Sequence, residues 1–302
     1  MDSNDQNMWK RFRLNSKHIV KRAVSWTAVI YAVLGFIATF VPFDELLSLL
    51  GIEGFWCQVL ASVLILAIVF VLCLIVAAVC VLGKKKVKVL DLHNGKAVYV
   101  VYGNVFSDKW VRSDKRRYVC FAVNRCFDTV VDELLITTNS AHGDAFNRLY
   151  KEERFTPQSL NEAIRKAIPK GSKFEEVKEE EKPDGNRKRY EVGTCVDFEV
   201  TKSLHYFMVA IGKMDASFKN HAEPEEYCFA VQKLIEFIDT YSQGFPVLLP
   251  ILGAGLTRLP ASEEDLLKYL IQAFAINADS INSDIYIVVK EDARDRIAIA
   301  DL

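Results

Sequence analysis

The chain has 302 residues, a formal net charge of -1 and 51% hydrophobic residues. Because the net charge is nearly zero and no stripe of basic and aromatic residues is present, we expect no nucleic-acid partner. The seven cysteines include no CxxC pair, a pattern that predicts reduced, mostly buried thiols and no cysteine-based metal site.

Two long apolar segments dominate the first part of the chain. Residues 23–43 and 54–83 contain no Asp, Glu, Lys or Arg, and each has the length of about 20 residues that a helix needs to cross a bilayer. A core helix of a soluble protein rarely runs this far without a charge, and the apolar region of a cleaved signal peptide has only about 7 to 15 residues. The pattern therefore predicts two transmembrane helices joined by a short outer loop.

Basic residues flank the two spans, and the loop between them, residues 44–53, has only acidic charges. The flanking residues are Lys10, Arg11, Arg13, Lys17, Lys21 and Arg22 before the first span, and Lys84, Lys85, Lys86 and Lys88 after the second. The positive-inside rule places both termini in the cytoplasm. Neither span has an ionisable residue of the kind that ion-coupled transporters need, so the hairpin is interpreted as an anchor or a pore-former.

The remaining residues, 84–302, predict one cytoplasmic domain that follows a basic N-terminus (1–22) and the hairpin (23–83). Apolar or alternating runs predict strands at 87–90, 96–105, 118–123, 204–211, 247–251 and 285–289. Helix-start signals predict helices at about 156–167, 223–241 and 262–275. A turn at 183–186 predicts a solvated hairpin. Apolar strands separated by helices predict an α/β domain with three α/β/α layers.

A glycine-containing loop follows the predicted strand 247–251. Gly253 and Gly255 lie just before a helix, and glycines there let backbone N–H groups surround phosphate oxygens. The dinucleotide fingerprint GxGxxG is excluded because Arg258 stands at the third glycine position, and no Lys-Ser/Thr pair makes a P-loop. A tight turn without a ligand would use the same glycines, so both interpretations stay open here.

Residues with side chains suited to ligand contacts also follow the strand 118–123. Asn124, Phe127 and Asp128 place an amide, an aromatic ring and a carboxylate at the carboxyl end of a strand, where open α/β sheets bind ligands. An asparagine that caps the following turn is the structural alternative.

Three short motifs resemble the macro-domain family, which binds ADP-ribose and related nucleotides. They are Tyr102-Gly103-Asn104-Val105-Phe106, Ala122-Val123-Asn124 and Leu252-Gly253-Ala254-Gly255-Leu256. Together with residues 124–128, residues 139–143 and the membrane hairpin, they resemble the transmembrane macro-domain form of the Thoeris anti-phage effectors. That resemblance implies a bacterial inner-membrane protein that binds a signal made from NAD by a TIR-domain enzyme, a histidine conjugate of ADP-ribose. It also implies a homo-oligomer that damages the membrane.

The resemblance implies a role for each matching residue. The backbone N–H groups of Gly253, Ala254, Gly255 and Leu256 would hold the diphosphate, and Asn124 would contact the distal ribose. The Gly103-Asn104 turn would lie near the adenine, where many macro domains have Asp.

Three further residues complete the implied site, which needs no cofactor and no metal. Phe127 would stack on a ring, Asp128 would receive a cationic group, and His142 would either contact the ligand or serve the fold. The chain is thus expected to be a sensor and not an enzyme. A membrane-tethered macro-domain ADP-ribosyl hydrolase is the alternative, although the triple-glycine loop followed by paired acids is missing. A scaffold with an empty domain is the third possibility.

Overall fold

The computed structural model of the chain describes residues 3–40, 54–255 and 259–302. The predicted outer loop and the predicted ligand residue Leu256 lie outside the described residues. The chain divides into two compact units, Met1–Lys85 with Arg294–Leu302, and Lys86–Ala293.

The first unit contains three α-helices among its described residues: α1 Ser3–Leu14, α2 Ser16–Ala38 and α3 Phe55–Leu82. By length and composition, Ser16–Ile37 and Phe55–Leu82 are long and apolar enough to cross a membrane. Helix α2 begins earlier than the predicted start at residue 23. The predicted start was set by the last basic residue before the apolar segment, which marks where a span meets water. Lysine and arginine are good helix formers, so the helix itself extends through these residues.

Helices α2 and α3 pack against each other through small and medium side chains, Ile19, Ala23, Cys73, Ala77 and Val81. Small residues let two helix backbones approach closely in an apolar medium. Large apolar side chains cover much of the rest of α3 and are exposed, Leu60 and Val79 among them. Such a surface is suited to contact with lipid and not with water.

The second unit has a mixed sheet in the order β1-β2-β10-β9-β3-β7-β6, with β8 paired to β7. Its strands are β1 Lys86–Asp91, β2 Ala97–Tyr102, β3 Arg117–Asn124, β6 Cys195–Thr201, β7 Leu204–Met214, β8 Asn220–His221, β9 Val247–Pro250 and β10 Ile285–Val289. Strands β2, β10, β9, β3 and β7 run parallel to their neighbours in that row. Strands β1 and β6 pair antiparallel at the two edges.

Helices cover both faces of this sheet, so the predicted three-layer α/β/α architecture is confirmed. The helices are α4 Ala141–Lys151, α5 Pro157–Ala167, α6 Pro224–Tyr241 and α7 Glu263–Ile276. Helices α4 and α5 share one buried cluster with Val119 and Phe121 of β3. On the opposite face, Phe237 of α6 packs against Phe207 of β7 with ring centroids 5.0 Å apart. Alternate residues of each strand therefore face different helix layers.

Local signals located most helix starts correctly. The Thr156 side chain accepts a hydrogen bond from the Ser159 backbone N–H, and Ser262 accepts one from Asp265, as N-cap residues do. Helix α4 and strand β6 were not predicted. Strand β6 carries Asp197 and Glu199 because it lies at the sheet edge, where half of its side chains face water.

The predicted hairpin is present as a separate antiparallel ribbon, β4 Phe174–Glu176 with β5 Lys188–Tyr190. Its loop is not simply solvated, however. Lys182 is 0% exposed and forms an ion pair with Asp128, with Nζ and Oδ2 3.0 Å apart. The expectation of a solvated hairpin is therefore wrong for this part of the loop, because a carboxylate distant in sequence compensates the burial of the lysine cation.

Candidate functional site

A cavity of about 350 Å³ opens at the carboxyl ends of four adjacent parallel strands of the second unit. The strand ends that line it are Asn124 of β3, Met214 of β7, Pro250 of β9 and Val289 of β10. This edge is where open α/β sheets bind ligands, because the loops that leave the strands diverge there. The volume falls in the range of ligand pockets, roughly 300–1,000 Å³.

The loop after β9 forms one wall of the cavity through Gly253, Ala254 and Gly255. Gly253 has φ 78°, and a Cβ on it would lie 2.6 Å from Leu259 Cδ1 and 2.9 Å from Tyr227 Cε2. Fold geometry therefore requires glycine at this position. Gly255 differs, since a Cβ there would meet no atom of the described residues within 4 Å. The structural interpretation therefore holds for Gly253, and a ligand role for either glycine stays a prediction.

Helix α6 contacts the start of this loop. The Tyr227 hydroxyl donates to the Leu252 carbonyl oxygen at 3.0 Å, and the bond is buried. Burial raises the pKa of Tyr227 well above its usual range, so the hydroxyl stays protonated and remains a donor. This hydrogen bond fixes Leu252, the residue just before Gly253.

Asn124 lies in the cavity wall and also caps the turn that follows β3. Its Oδ1 accepts from the backbone N–H groups of Cys126 and Asp128, at 3.1 and 3.3 Å. Its Nδ2 donates to Asp128 Oδ2 at 3.0 Å. An amide nitrogen carries two N–H donors, and Asp128 accepts from one of them among the described residues, so a ligand contact by the other N–H stays a prediction.

Asp128 lies behind Asn124 and does not line the cavity. Its carboxylate is 1% exposed, and it accepts from Lys182 Nζ and from the Asn186 backbone N–H, the latter at 2.6 Å. Burial raises the pKa of Asp128, and the Lys182 cation and the hydrogen bonds oppose that shift. The cationic partner seen here is therefore a lysine of the chain, and a ligand contact by Asp128 stays a prediction.

Phe127 is likewise outside the cavity wall. Its ring is buried in the core and packs against Tyr190 with centroids 5.6 Å apart. Its φ of 52° turns the chain sharply after β3, and this turn brings Asp128 under Asn124. The geometry gives Phe127 a part in shaping the turn, and the predicted stacking on a ligand remains untested.

Gly103 and Asn104 follow β2 at the same edge of the sheet but do not line the cavity. The Asn104 side chain closes its own turn, since Oδ1 accepts from the Phe106 backbone N–H at 2.8 Å. Nδ2 reaches Asp144 of α4 at 3.4 Å. Their predicted place near an adenine stays a prediction.

His142 lines the cavity and lies in the first turn of α4, between the rings of Phe121 and Phe146. Burial lowers the pKa of His142 to about 3, although a hydrogen bond with the Asp128 backbone opposes the shift. The imidazole is therefore neutral. Its Nε2 is enclosed and has no hydrogen-bond partner in the part of the chain that the structure describes.

Sequence reasoning missed several residues that line the cavity from its two outer strands, β7 and β10. Phe218, Lys219 and Asn220 line it from the turn between β7 and β8, and Lys290 lines it from the end of β10. Their position in the sequence could have indicated them, because the residues after β7 and the residue after β10 each follow the carboxyl end of an apolar strand. The two lysines add positive charge to a wall that also contains Glu133 and Glu263.

Comparison with known proteins identifies the family of this chain. A family profile described as the macro domain of the Thoeris protein ThsA matches residues 98–290. The chain belongs to the ThsA macro-domain family. It is 27% identical over 187 residues to the Thoeris protein ThsA of Bacillus amyloliquefaciens (strain Y2), and the match covers 61% of this chain and 58% of that protein. The chain thus matches less than two thirds of the relative's length.

Solved macrodomains are also similar. An Oceanobacillus iheyensis macrodomain with ADP has 12% identity and a TM-score of 0.37, with 70% of this chain and 90% of that chain covered. A Trypanosoma brucei macrodomain in complex with ADP-ribose has 9% identity and a TM-score of 0.40, with 68% of each chain covered.

Proposed function

We propose that this protein is a membrane-anchored effector of a Thoeris anti-phage system that binds an ADP-ribose-derived nucleotide and then disrupts the membrane. The observation that carries the proposal is the cavity at the carboxyl ends of β10, β9, β3 and β7, with the Gly253-to-Gly255 backbone in its wall. Membership of the ThsA macro-domain family supports the same ligand class.

The cavity offers complementary chemistry for such a ligand. Backbone N–H groups in a glycine loop bind phosphate oxygens without a side chain between them, and no atom of the described residues lies within 4 Å of the Cβ position at Gly255. Lys219 and Lys290 line the same cavity and add positive charge there, next to the carboxylates of Glu133 and Glu263 in the lining. The remaining N–H of Asn124 would donate to a ribose hydroxyl, so the diphosphate and the distal ribose would occupy adjacent strand ends.

The signal would come from a TIR-domain enzyme that acts on NAD, with a histidine conjugate of ADP-ribose as the proposed compound. The two apolar helices, Ser16–Ile37 and Phe55–Leu82, would anchor the protein in the inner membrane with both termini in the cytoplasm. If the protein without ligand does not damage the membrane, the ligand must bind more tightly to the state that does. A shift from 1:99 to 99:1 needs about 5.5 kcal/mol of differential affinity, which assembly of several copies into a homo-oligomer would help to supply.

Calorimetry with ADP-ribose on the full chain in detergent tests this proposal. Gly255→Glu should abolish binding because the added side chain and charge enter the space proposed for the diphosphate. Ala261→Glu is the matched control, since Ala261 is exposed, lies near the same loop and does not line the cavity. Unchanged affinity in a folded Gly255→Glu variant would mean that the loop is only a turn.

The same preparations separate a sensor from a hydrolase. A sensor leaves an ADP-ribosylated protein substrate intact, whereas a hydrolase releases ADP-ribose from it. Release by the wild-type protein that is lost in Gly255→Glu would assign the cavity to catalysis and overturn the sensor proposal.

A further inference from the structure

The end of the chain, Arg294–Leu302, belongs to the first unit and not to the second unit that it follows. We call these residues the C-terminal segment. The boundary between the units falls inside a short 3-10 helix, Glu291–Asp295. The chain therefore passes between the two units twice, once after Lys85 and once after Ala293.

The C-terminal segment contacts the membrane helices through both of its ends. Ala300 packs against the buried cluster that lies between α2 and α3. Nη2 of Arg294 donates to the carbonyl oxygen of Lys84 at 3.3 Å, and Lys84 lies just beyond the end of α3. The segment is thus attached to one end of this helix pair.

The middle of the C-terminal segment is also fixed. Ile297 is 2% exposed and Ile299 is 1% exposed. The last residues of a chain are usually poorly ordered unless packing or hydrogen bonds tie them down. Two fully buried isoleucines are an arrangement of this kind, so the segment is a packed part of the first unit.

The residues just before the C-terminal segment belong to the cavity of the second unit. Lys290 and Ala293 both line that cavity. Ala293 is buried, and its N–H donates to the Lys290 carbonyl oxygen at 3.0 Å. Arg294 is the next residue, so the covalent chain transmits any shift of this turn directly to the C-terminal segment.

The other passage between the units does not have this property. After Lys85 the chain enters strand β1, Lys86–Asp91, and none of the described residues of β1 lines the cavity. Of the two passages, only the one at Ala293 joins a residue of the cavity wall to a segment that is packed on the membrane helices.

We propose that the C-terminal segment couples occupancy of the cavity to the arrangement of helices α2 and α3. Coupling between two sites needs an element whose position both sites influence. The segment meets this condition, because it begins beside Ala293 in the cavity wall and ends with Ala300 on the helix pair. The inference rests on the proposed function, which supplies the ligand. A segment that only covers the end of the helix pair would not respond to a ligand.

The test uses the reciprocity of coupling, because a contact that transmits the effect of a ligand must also affect the affinity for that ligand. Ala300→Glu places a carboxylate against the apolar cluster, where a charge without a partner is unfavourable, so the segment should detach. Calorimetry with ADP-ribose on the full chain in detergent should then show an affinity that differs from wild type by at least about fivefold.

Ala298→Glu is the matched control. Ala298 lies in the same segment but is not among the described side chains that pack against the cluster, so the same substitution there should change the affinity by less than about twofold. Ala300→Leu adds bulk without charge at the same contact, and it serves if Ala300→Glu does not fold.

Hydrogen exchange supplies a second measurement on the same preparations. Addition of ADP-ribose to the wild-type protein should change the exchange of residues 77–85 and 294–300, and the change at 77–85 should be absent in Ala300→Glu. An unchanged affinity in folded Ala300→Glu, or a response to ADP-ribose confined to the second unit, would overturn the inference while the proposed function stands. A wild-type protein that does not bind ADP-ribose would overturn both.

Discussion

The buried ion pair between Lys182 and Asp128 is a contact whose removal should strongly destabilise the second unit. Lys182 is 0% exposed and Asp128 is 1% exposed, and Lys182 Nζ also donates to the Asp184 carbonyl oxygen at 2.6 Å. Lys182→Met keeps most of the side-chain volume but leaves a carboxylate buried without its cation. Breaking a buried pair in this way costs about 3–5 kcal/mol.

This cost converts to a large change in melting temperature. For a domain of 150–250 residues, 1 kcal/mol corresponds to roughly 2–4 °C, so Lys182→Met should lower the melting temperature by roughly 6–20 °C. Near-UV circular dichroism of the full chain in detergent measures it. Hydrogen exchange of residues 174–190 should also accelerate, because the ion pair ties the β4–β5 ribbon to the turn after β3.

Two control variants show whether the change in melting temperature comes from the ion pair. Lys178→Met changes an exposed lysine of the same loop and should shift the melting temperature by about 2 °C or less. Asp128→Asn combined with Lys182→Met removes both charges and retains an acceptor for the Asn186 N–H, so it should recover part of the loss.

The pH dependence of Lys182→Met has a definite sign. Loss of the cation raises the pKa of Asp128 further, and protonation then relieves the penalty, so the deficit relative to wild type should shrink as the pH falls from 8 to 5. If Lys182→Met melts within about 2 °C of Lys178→Met, the ion pair does not hold the loop and the reasoning is refuted.

Two further predictions concern His142 and the anchor. The pKa of His142 is about 3 in the folded protein against about 6.5 in an unfolded chain, so its contribution to stability is present above pH 6.5 and is lost as the pH falls towards 3. His142→Gln should remove about 2 kcal/mol of the loss between pH 6.5 and 5 in pH-dependent urea denaturation; an unchanged profile would show that another group causes the loss. Deletion of residues 1–83 should abolish collapse of the membrane potential when a signal-producing TIR enzyme is co-expressed, yet preserve ADP-ribose binding. Membrane-potential dyes and calorimetry measure the two effects, and a soluble fragment that still kills cells would place the toxic activity in the second unit.

Features that depend on neighbouring residues could be predicted from the sequence. The apolar segments are long enough to span a membrane without reference to the rest of the chain, and both appear as long helices. Thr156 and Ser262 cap helices through bonds that extend only three residues along the chain. The loop at Gly253 follows a strand and precedes a helix, so its place at the sheet edge was also predictable.

The tertiary structure decided which side chains reach the cavity. Asp128 and Lys182 are 54 positions apart, and no periodic signal in the sequence pairs them. Only folding of the β4–β5 ribbon brings the lysine to the carboxylate. Phe127 and Phe218 are both phenylalanines that follow the carboxyl end of a strand by a few residues. Phe127 nevertheless packs in the core, while Phe218 lines the cavity. The difference arises because strand order places the end of β7 beside the end of β3, and the sequence alone does not encode that adjacency in any local pattern.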